Sequence, residues 1–156
     1  MEELSIRRAG GDELPQIIAM QTEIFCGEQE IPAELIGAFL SERPVCWVAE
    51  QDGRIVASVS AWEEKDGVHL GRFVVLPPLR GRRIGTRLLG HALRELFDGG
   101  VECIRAEARD SAARMLRAVG GRDTGEPFPF YRGSVTPMLL EKEAFLRNTR
   151  QSDRKG

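Results

Sequence analysis

The sequence predicts an α/β domain of the mixed (α+β) kind, with helices packed on a mixed, mostly antiparallel central sheet. Three observations carry that prediction. Strand-like runs at residues 45–51, 54–63 and 68–76 follow one another across Asp52-Gly53 and Asp66-Gly67, pairs that favour tight reversals between antiparallel strands. An apolar stripe of Ile84, Leu88, Leu89, Ala92, Leu93, Leu96 and Phe97 predicts a helix over residues 82–98. Residues 101–108 then return as a strand parallel to 68–76, which makes a right-handed crossover around that helix.

The elements follow in order. Leu4, Ile6 and Arg8 mark a first strand, and Gly11-Asp12 starts a helix on which Leu14, Ile17, Ile18, Met20, Ile24 and Phe25 recur at helical spacing. Pro32 opens a second helix with Leu35, Ile36, Phe39 and Leu40, closed by Pro44. After the three strands, Gly99-Gly100 ends the long helix, and a shorter helix over 111–119 stops at Gly120-Gly121. The chain to Glu143 reads as two strands joined by the loop Pro127-Phe128-Pro129-Phe130-Tyr131. The whole amounts to about seven strands and about four helices in one domain, residues 1–146. Residues 147–156 read as a polar, mobile tail.

Composition narrows the function. A chain of 156 residues, 42% hydrophobic and 29% charged, suits one soluble domain with one core. The N-terminus lacks the basic and apolar regions of a signal peptide, and no apolar run is long enough to span a bilayer. Cys26, Cys46 and Cys103 are odd in number and widely spaced, so neither a disulfide framework nor a metal site is expected, and a reducing cytoplasm is. A net charge of −2 argues against nucleic acid as the partner. The basic character is local, around residues 80–87, and points to a small anionic ligand.

That locality coincides with the most informative stretch, Val74-Val75-Leu76-Pro77-Pro78-Leu79-Arg80-Gly81-Arg82-Arg83-Ile84-Gly85. A buried strand runs through a proline-stopped turn and an Arg/Gly loop into a helix. Such a helix start offers unpaired N–H groups and the positive end of its dipole to a phosphate. The Gly-Lys-Ser/Thr ending of a P-loop and the Gly-x-Gly-x-x-Gly of a dinucleotide fold are both missing. The stretch resembles the pyrophosphate motif of the Gcn5-related N-acetyltransferases, Arg/Gln-x-x-Gly-x-Gly/Ala. Arg80 fills the first place and Gly85 the last, while Arg83 stands where the family has a glycine. The order of elements, from Leu4 to Glu143, is also that of the family. Ile24-Phe25-Cys26-Gly27-Glu28-Gln29, Gly71-Arg72-Phe73-Val74-Val75 and Ala108-Arg109 are similar to segments of its ElaA-like branch.

The resemblance implies a sheet splayed at an acetyl-CoA cleft. Backbone groups of Phe73, Val74 and Val75 would meet the pantetheine arm, and Arg80, Gly81, Arg82, Arg83, Ile84 and Gly85 would surround the pyrophosphate, with Arg109 nearby. Gly85 would let backbone and phosphate approach closely. It also implies direct attack by the amine of a small molecule or protein, and homodimers are common in the family. A protonated alkylamine must lose a proton first, since its pKa is about 10.4. His69 is the candidate base, beside the reading of a rim histidine that moves no proton. The family's proton-donating tyrosine is Leu116 here, which leaves Tyr131 as candidate acid or as part of an aromatic cluster with Phe128 and Phe130. Glu28 and Arg72 are candidate substrate-side residues, expected as an ion pair that shapes the acceptor cleft or as a surface salt bridge. Trp47 and Trp62 are expected in the core, and Cys103 as a small buried hydrophobe. The resulting expectation is an N-acetyltransferase. A non-catalytic acyl-CoA-binding or sensing domain is the alternative, and a nucleic-acid module is disfavoured by the acidic balance.

Overall fold

A computed structural model describes residues 4–37 and 43–155, with side chains to residue 149. The strands are β1 (Leu4–Arg8), β2 (Val45–Gln51), β3 (Arg54–Glu64), β4 (Gly67–Val75), β5 (Cys103–Ala108), β6 (Arg122–Asp123), β7 (Phe128–Pro129) and β8 (Ser134–Glu141). The helices are α1 (Leu14–Gln29), α2 (Ala33–Gly37), α3 (Ile84–Asp98), α4 (Asp110–Ala118) and α5 (Lys142–Lys155). Phe39 and Leu40, expected on the second helix, lie outside the described residues.

The sheet order is β1-β2-β3-β4-β5-β8-β6, with β7 pairing β8 off this path. All pairings are antiparallel except β4 with β5, which the chain reaches by crossing over through α3. The two Asp-Gly turns sit where the sequence puts them, between β2 and β3 and between β3 and β4.

Helices cover both faces of the sheet. On α3 the expected stripe is buried except for half-buried Leu96: Ile84, Leu88, Leu89, Ala92, Leu93 and Phe97 join Leu70, Val75, Ile104 and Ala106 in the main core. Burying each large aliphatic or aromatic side chain contributes about 1.5–3 kcal/mol over leaving it in water. On the other face α1 sets Ile17 against Cys46 and Val48, and Ile24 and Phe25 against Val74.

Two expectations need correction. The first of the two late strands shrinks to the two residues of β6, and Phe128–Pro129 is itself a short strand rather than loop. Pro127 and Pro129 cannot donate to a ladder, so pairing here stays brief. Residues 147–155 of the expected tail continue the helix α5, which starts at Lys142. Phe145 anchors it, 2% exposed, with its ring 5.1 Å from that of Phe97.

Candidate active site

β4 and β5 pair only at Val68↔Ile104 and His69↔Arg105, then diverge. The β4 edge from Leu70 to Val75 therefore forms no ladder with β5, and a cleft of about 700 Å³ opens along it. Gly71 to Val75, Arg80, Gly81, Arg83 and the first turn of α3 line one side, and Ala106 to Arg109 line the other. The structure thus brings together on one cleft most of the residues that the sequence nominates for the donor.

β4 is bulged at this edge. Ser58 faces Val74 and Ser60 faces Gly71, so Val59 alone opposes both Arg72 and Phe73. Arg72 takes φ 53, in the left-handed region that side-chain-bearing residues rarely adopt. Its Nη2 donates to the Leu35 carbonyl at 2.9 Å, which ties α2 to the strand. Burial pushes its guanidinium down to about 10, which leaves it charged at neutral pH.

The loop after β4 turns through a single 3-10 turn, Pro77–Leu79, into α3. Gly81 has φ 83, and Arg83, at the place of the family's glycine, adopts φ 63 as the residue that caps the helix. No side chain caps this start, so the first-turn N–H groups remain for an anion. Beside the role expected of it at the phosphate, Gly85 has a packing role in the structure. A Cβ there would stand 2.5 Å from Phe73 Cζ and 3.3 Å from Val75 Cγ2. Gly85 is required because α3 lies directly on β4.

The ion pair expected between Glu28 and Arg72 is not formed. Glu28 instead meets Arg80 in a bidentate pair, Nη1–Oε1 2.9 Å and Nη2–Oε2 3.0 Å. Arg80 Nε donates to the Val75 carbonyl at 3.0 Å, so the whole fork is engaged. Arg82 is exposed and does not line the cleft. Arg109 lines it, yet its Nη1 donates to the Arg132 carbonyl and its Nη2 to that of Phe130 at 3.0 Å. Burial lowers its pKa. With Arg132 N–H on the Gln29 carbonyl at 3.1 Å, these bonds fasten the 130–133 loop between β5 and the end of α1.

The two nominated proton carriers do not line the cleft. His69 belongs to the closed end of the sheet, where β4 still pairs with β5. Its Nε2 lies 2.6 Å from Asp66 Oδ1 and its Nδ1 3.0 Å from Glu64 Oε2, and its ring stacks on Trp62. The hydrogen bond from His69 holds the Asp66 carboxyl below its usual range. Tyr131 is 49% exposed with φ 54, its ring edge-on to Phe130 at 4.9 Å. Trp47 is buried, as expected, with Nε1–H on Glu95 Oε2 at 2.8 Å. Cys103 is only half-buried.

Among the described residues, the carboxylates that line the cleft are Glu28 and Glu107. Glu28 is committed to Arg80, and Glu107 forms no ion pair with another described residue. Sequence reasoning passed over Glu107. The alternation of β5, with Ile104, Ala106 and Ala108 buried and Glu107 exposed between them, was the signal that could have found it. Leu116 is buried and lines the cleft, presenting hydrocarbon where a proton donor was the family's expectation.

A profile of the acetyltransferase (GNAT) family matches residues 14–120. ElaA of Escherichia coli superposes with a TM-score of 0.74 at 19% identity, over 90% of this chain and 100% of that one. An acyl-CoA N-acyltransferase of Pseudomonas aeruginosa gives 0.74 at 20% identity, over 89% and 99%. The yncA protein of Salmonella typhimurium, solved with its cofactor acetyl-CoA, gives 0.67 at 18% identity, over 89% and 94%. No curated protein matches the sequence.

Proposed function

The chain belongs to the acetyltransferase (GNAT) family, and from that premise we propose that it is an N-acetyltransferase, moving acetyl from acetyl-CoA to an amine of a small molecule or protein within a ternary complex. One observation carries the reading: the open β4 edge leads, through the Arg/Gly loop, to the uncapped start of α3. An extended arm with amide groups fits the first, and a diphosphate fits the second. The residues that would hold the donor are the backbone of Phe73, Val74 and Val75 along the edge, with Gly81, Arg83 and the N–H groups of Ile84 and Gly85 at the mouth.

Bound there, acetyl-CoA supplies an activated thioester carbonyl. Backbone N–H groups on the open edge are the donors available to polarise it. Glu107 would take the first proton of the incoming ammonium, so that the free amine can attack the thioester carbon and the C–S bond can break. The second proton, released from nitrogen as the amide forms, would pass to solvent, and solvent would protonate the leaving thiolate, since Leu116 has no proton to give. His69 and Tyr131 have no part in this scheme, because neither lines the cleft.

The test is thiol release from acetyl-CoA with a panel of polyamines, amino sugars and peptides carrying free α- or ε-amines. With the best acceptor, Glu107→Gln should lower kcat by about 10²–10⁴-fold. Affinity for coenzyme A should change less than twofold. An unchanged kcat would remove Glu107 from the chemistry. Leu116 favours a second reading, an acyl-CoA sensor: such a protein would bind the donor and release no thiol with any amine.

A further inference from the structure

The side of the cleft that faces α1 differs in chemistry from its anion-binding mouth. Ala106 and Ala108 belong to the core that α3 covers, so by strand alternation Glu107 between them points to the α1 side. An amine that gives its proton to Glu107 approaches from there. On that side the lining is apolar: half-buried Ile31 just before α2, exposed Leu35 on α2, and half-buried Phe130. We propose that the acceptor is a small hydrophobic monoamine, one ammonium carried on an aromatic or aliphatic body. The inference rests on the reading of the cleft as an acetyl-CoA site with Glu107 as the base.

The apolar walls are held by the two strands that part to make the cleft. Arg72 on β4 donates from Nη2 to the Leu35 carbonyl at 2.9 Å. Arg109, at the end of β5, donates from Nη2 to the Phe130 carbonyl at 3.0 Å, and its guanidinium lies over the Phe130 ring, 5.6 Å from the centroid. Each arginine thus braces one wall through its main chain. Among the described residues, the large hydrophobic side chains left exposed are Leu35, Phe128 and Tyr131. The first is on one wall, and the other two flank Phe130 on the other. Exposed hydrocarbon gathered in this way, rather than scattered, marks a surface that an apolar ligand covers.

Charge and size narrow the class. Of the two carboxylates that line the cleft among the described residues, Glu28 is paired with Arg80, which leaves Glu107 for one ammonium. A polyamine would bring a second charge against hydrocarbon, and an amino sugar would bring hydroxyls, both at a desolvation cost. A phenyl or butyl group gains in proportion to the area it covers. The end of α1 also reaches both rims, through Glu28 to Arg80 and through the Gln29 carbonyl to Arg132 N–H at 3.1 Å. A strap across the cleft favours a compact molecule over an amine on a folded protein surface.

The test is thiol release from acetyl-CoA with ethylamine, butylamine, phenethylamine, spermidine, glucosamine and a lysine-bearing peptide, each rate referred to the free-amine concentration. From ethylamine to phenethylamine kcat/KM should rise about tenfold or more, mainly through KM, because contact with a wall is the same before and during reaction. Phenethylamine should also surpass the three polar acceptors. In Leu35→Asn, a change at an exposed position, and in Phe130→Ala, the phenethylamine-to-ethylamine ratio should fall about three- to tenfold. A ratio unchanged in both variants overturns the inference, since the acceptor's body would then lie elsewhere. Turnover led by spermidine, glucosamine or the peptide overturns it too and leaves N-acetyl transfer standing. No thiol release from any amine, with coenzyme A still bound in calorimetry, overturns the catalytic reading and this inference together.

Discussion

Glu28 and Arg80 are separated by 52 positions in sequence and meet across the cleft's rim, each oxygen of the carboxylate facing its own guanidinium nitrogen. The sequence motif leads one to expect Arg80 at a phosphate; in the structure it bonds Glu28 and the Val75 carbonyl. A diphosphate at the mouth has to compete with Glu28 for those donors. Exposed pairs of this kind are worth about 0–1 kcal/mol, so the competition is mild. Glu28→Gln should therefore tighten coenzyme A by about two- to fivefold in low salt, with the gain shrinking as salt screens it. Calorimetry at two ionic strengths reads this directly. A weaker affinity would mean that Glu28 serves to aim Arg80 at the ligand. Arg83 shows a related exchange at the same scale: a residue with a side chain occupies the left-handed backbone position of a glycine and keeps a cation at the mouth.

Among the elements, the contact of α3 with β4 decides the shape of the cleft. Its closeness rests on Gly85, whose missing side chain leaves room for the Phe73 ring, with Met115 Cε 3.4 Å away. Gly85→Ala should cost about 1–3 kcal/mol by overpacking, read as a lower midpoint in urea unfolding. The double variant with Phe73→Leu should recover most of the loss. If single and double variants were equally destabilised, the ring would not be the obstacle. The long strands, α1 and α3 were legible because each carries its own period and its own stop signal. The register shift at Ser58/Ser60 was not, because a bulge depends on how two strands meet rather than on the order of residues in either.

At the scale of the whole molecule, segments distant in sequence build one site, chiefly the end of α1, the stretch from β4 into α3, and β5 with α4, with Val59 of β3 and Phe130 and Val135 near β8 adding to its lining. The chain's last helix belongs to the same body, since α5 packs Phe145 into the core under Phe97. Phe145→Ala should cost about 3–5 kcal/mol, a large part of a typical domain's stability. Thermal unfolding would show it, and a change under 1 kcal/mol would mark α5 as dispensable. The sequence carries no sign of this helix, because Ala144, Phe145 and Leu146 form too short an apolar run to reveal a period and residues 147–156 are polar.

By itself the sequence determined the α/β class, the strand–loop–helix junction and the hydrocarbon side chain at Leu116. Each is a local property: hydrophobic period, turn chemistry, or the identity of one side chain. Which charges meet was decided only by the tertiary structure. It gave Glu28 to Arg80 rather than to Arg72, closed His69 between Glu64 and Asp66 outside the lining of the cleft, and turned Glu107 towards it. Partnerships of this kind depend on strand divergence and on the approach of α1 to the loop, distances that no pattern along a single segment encodes.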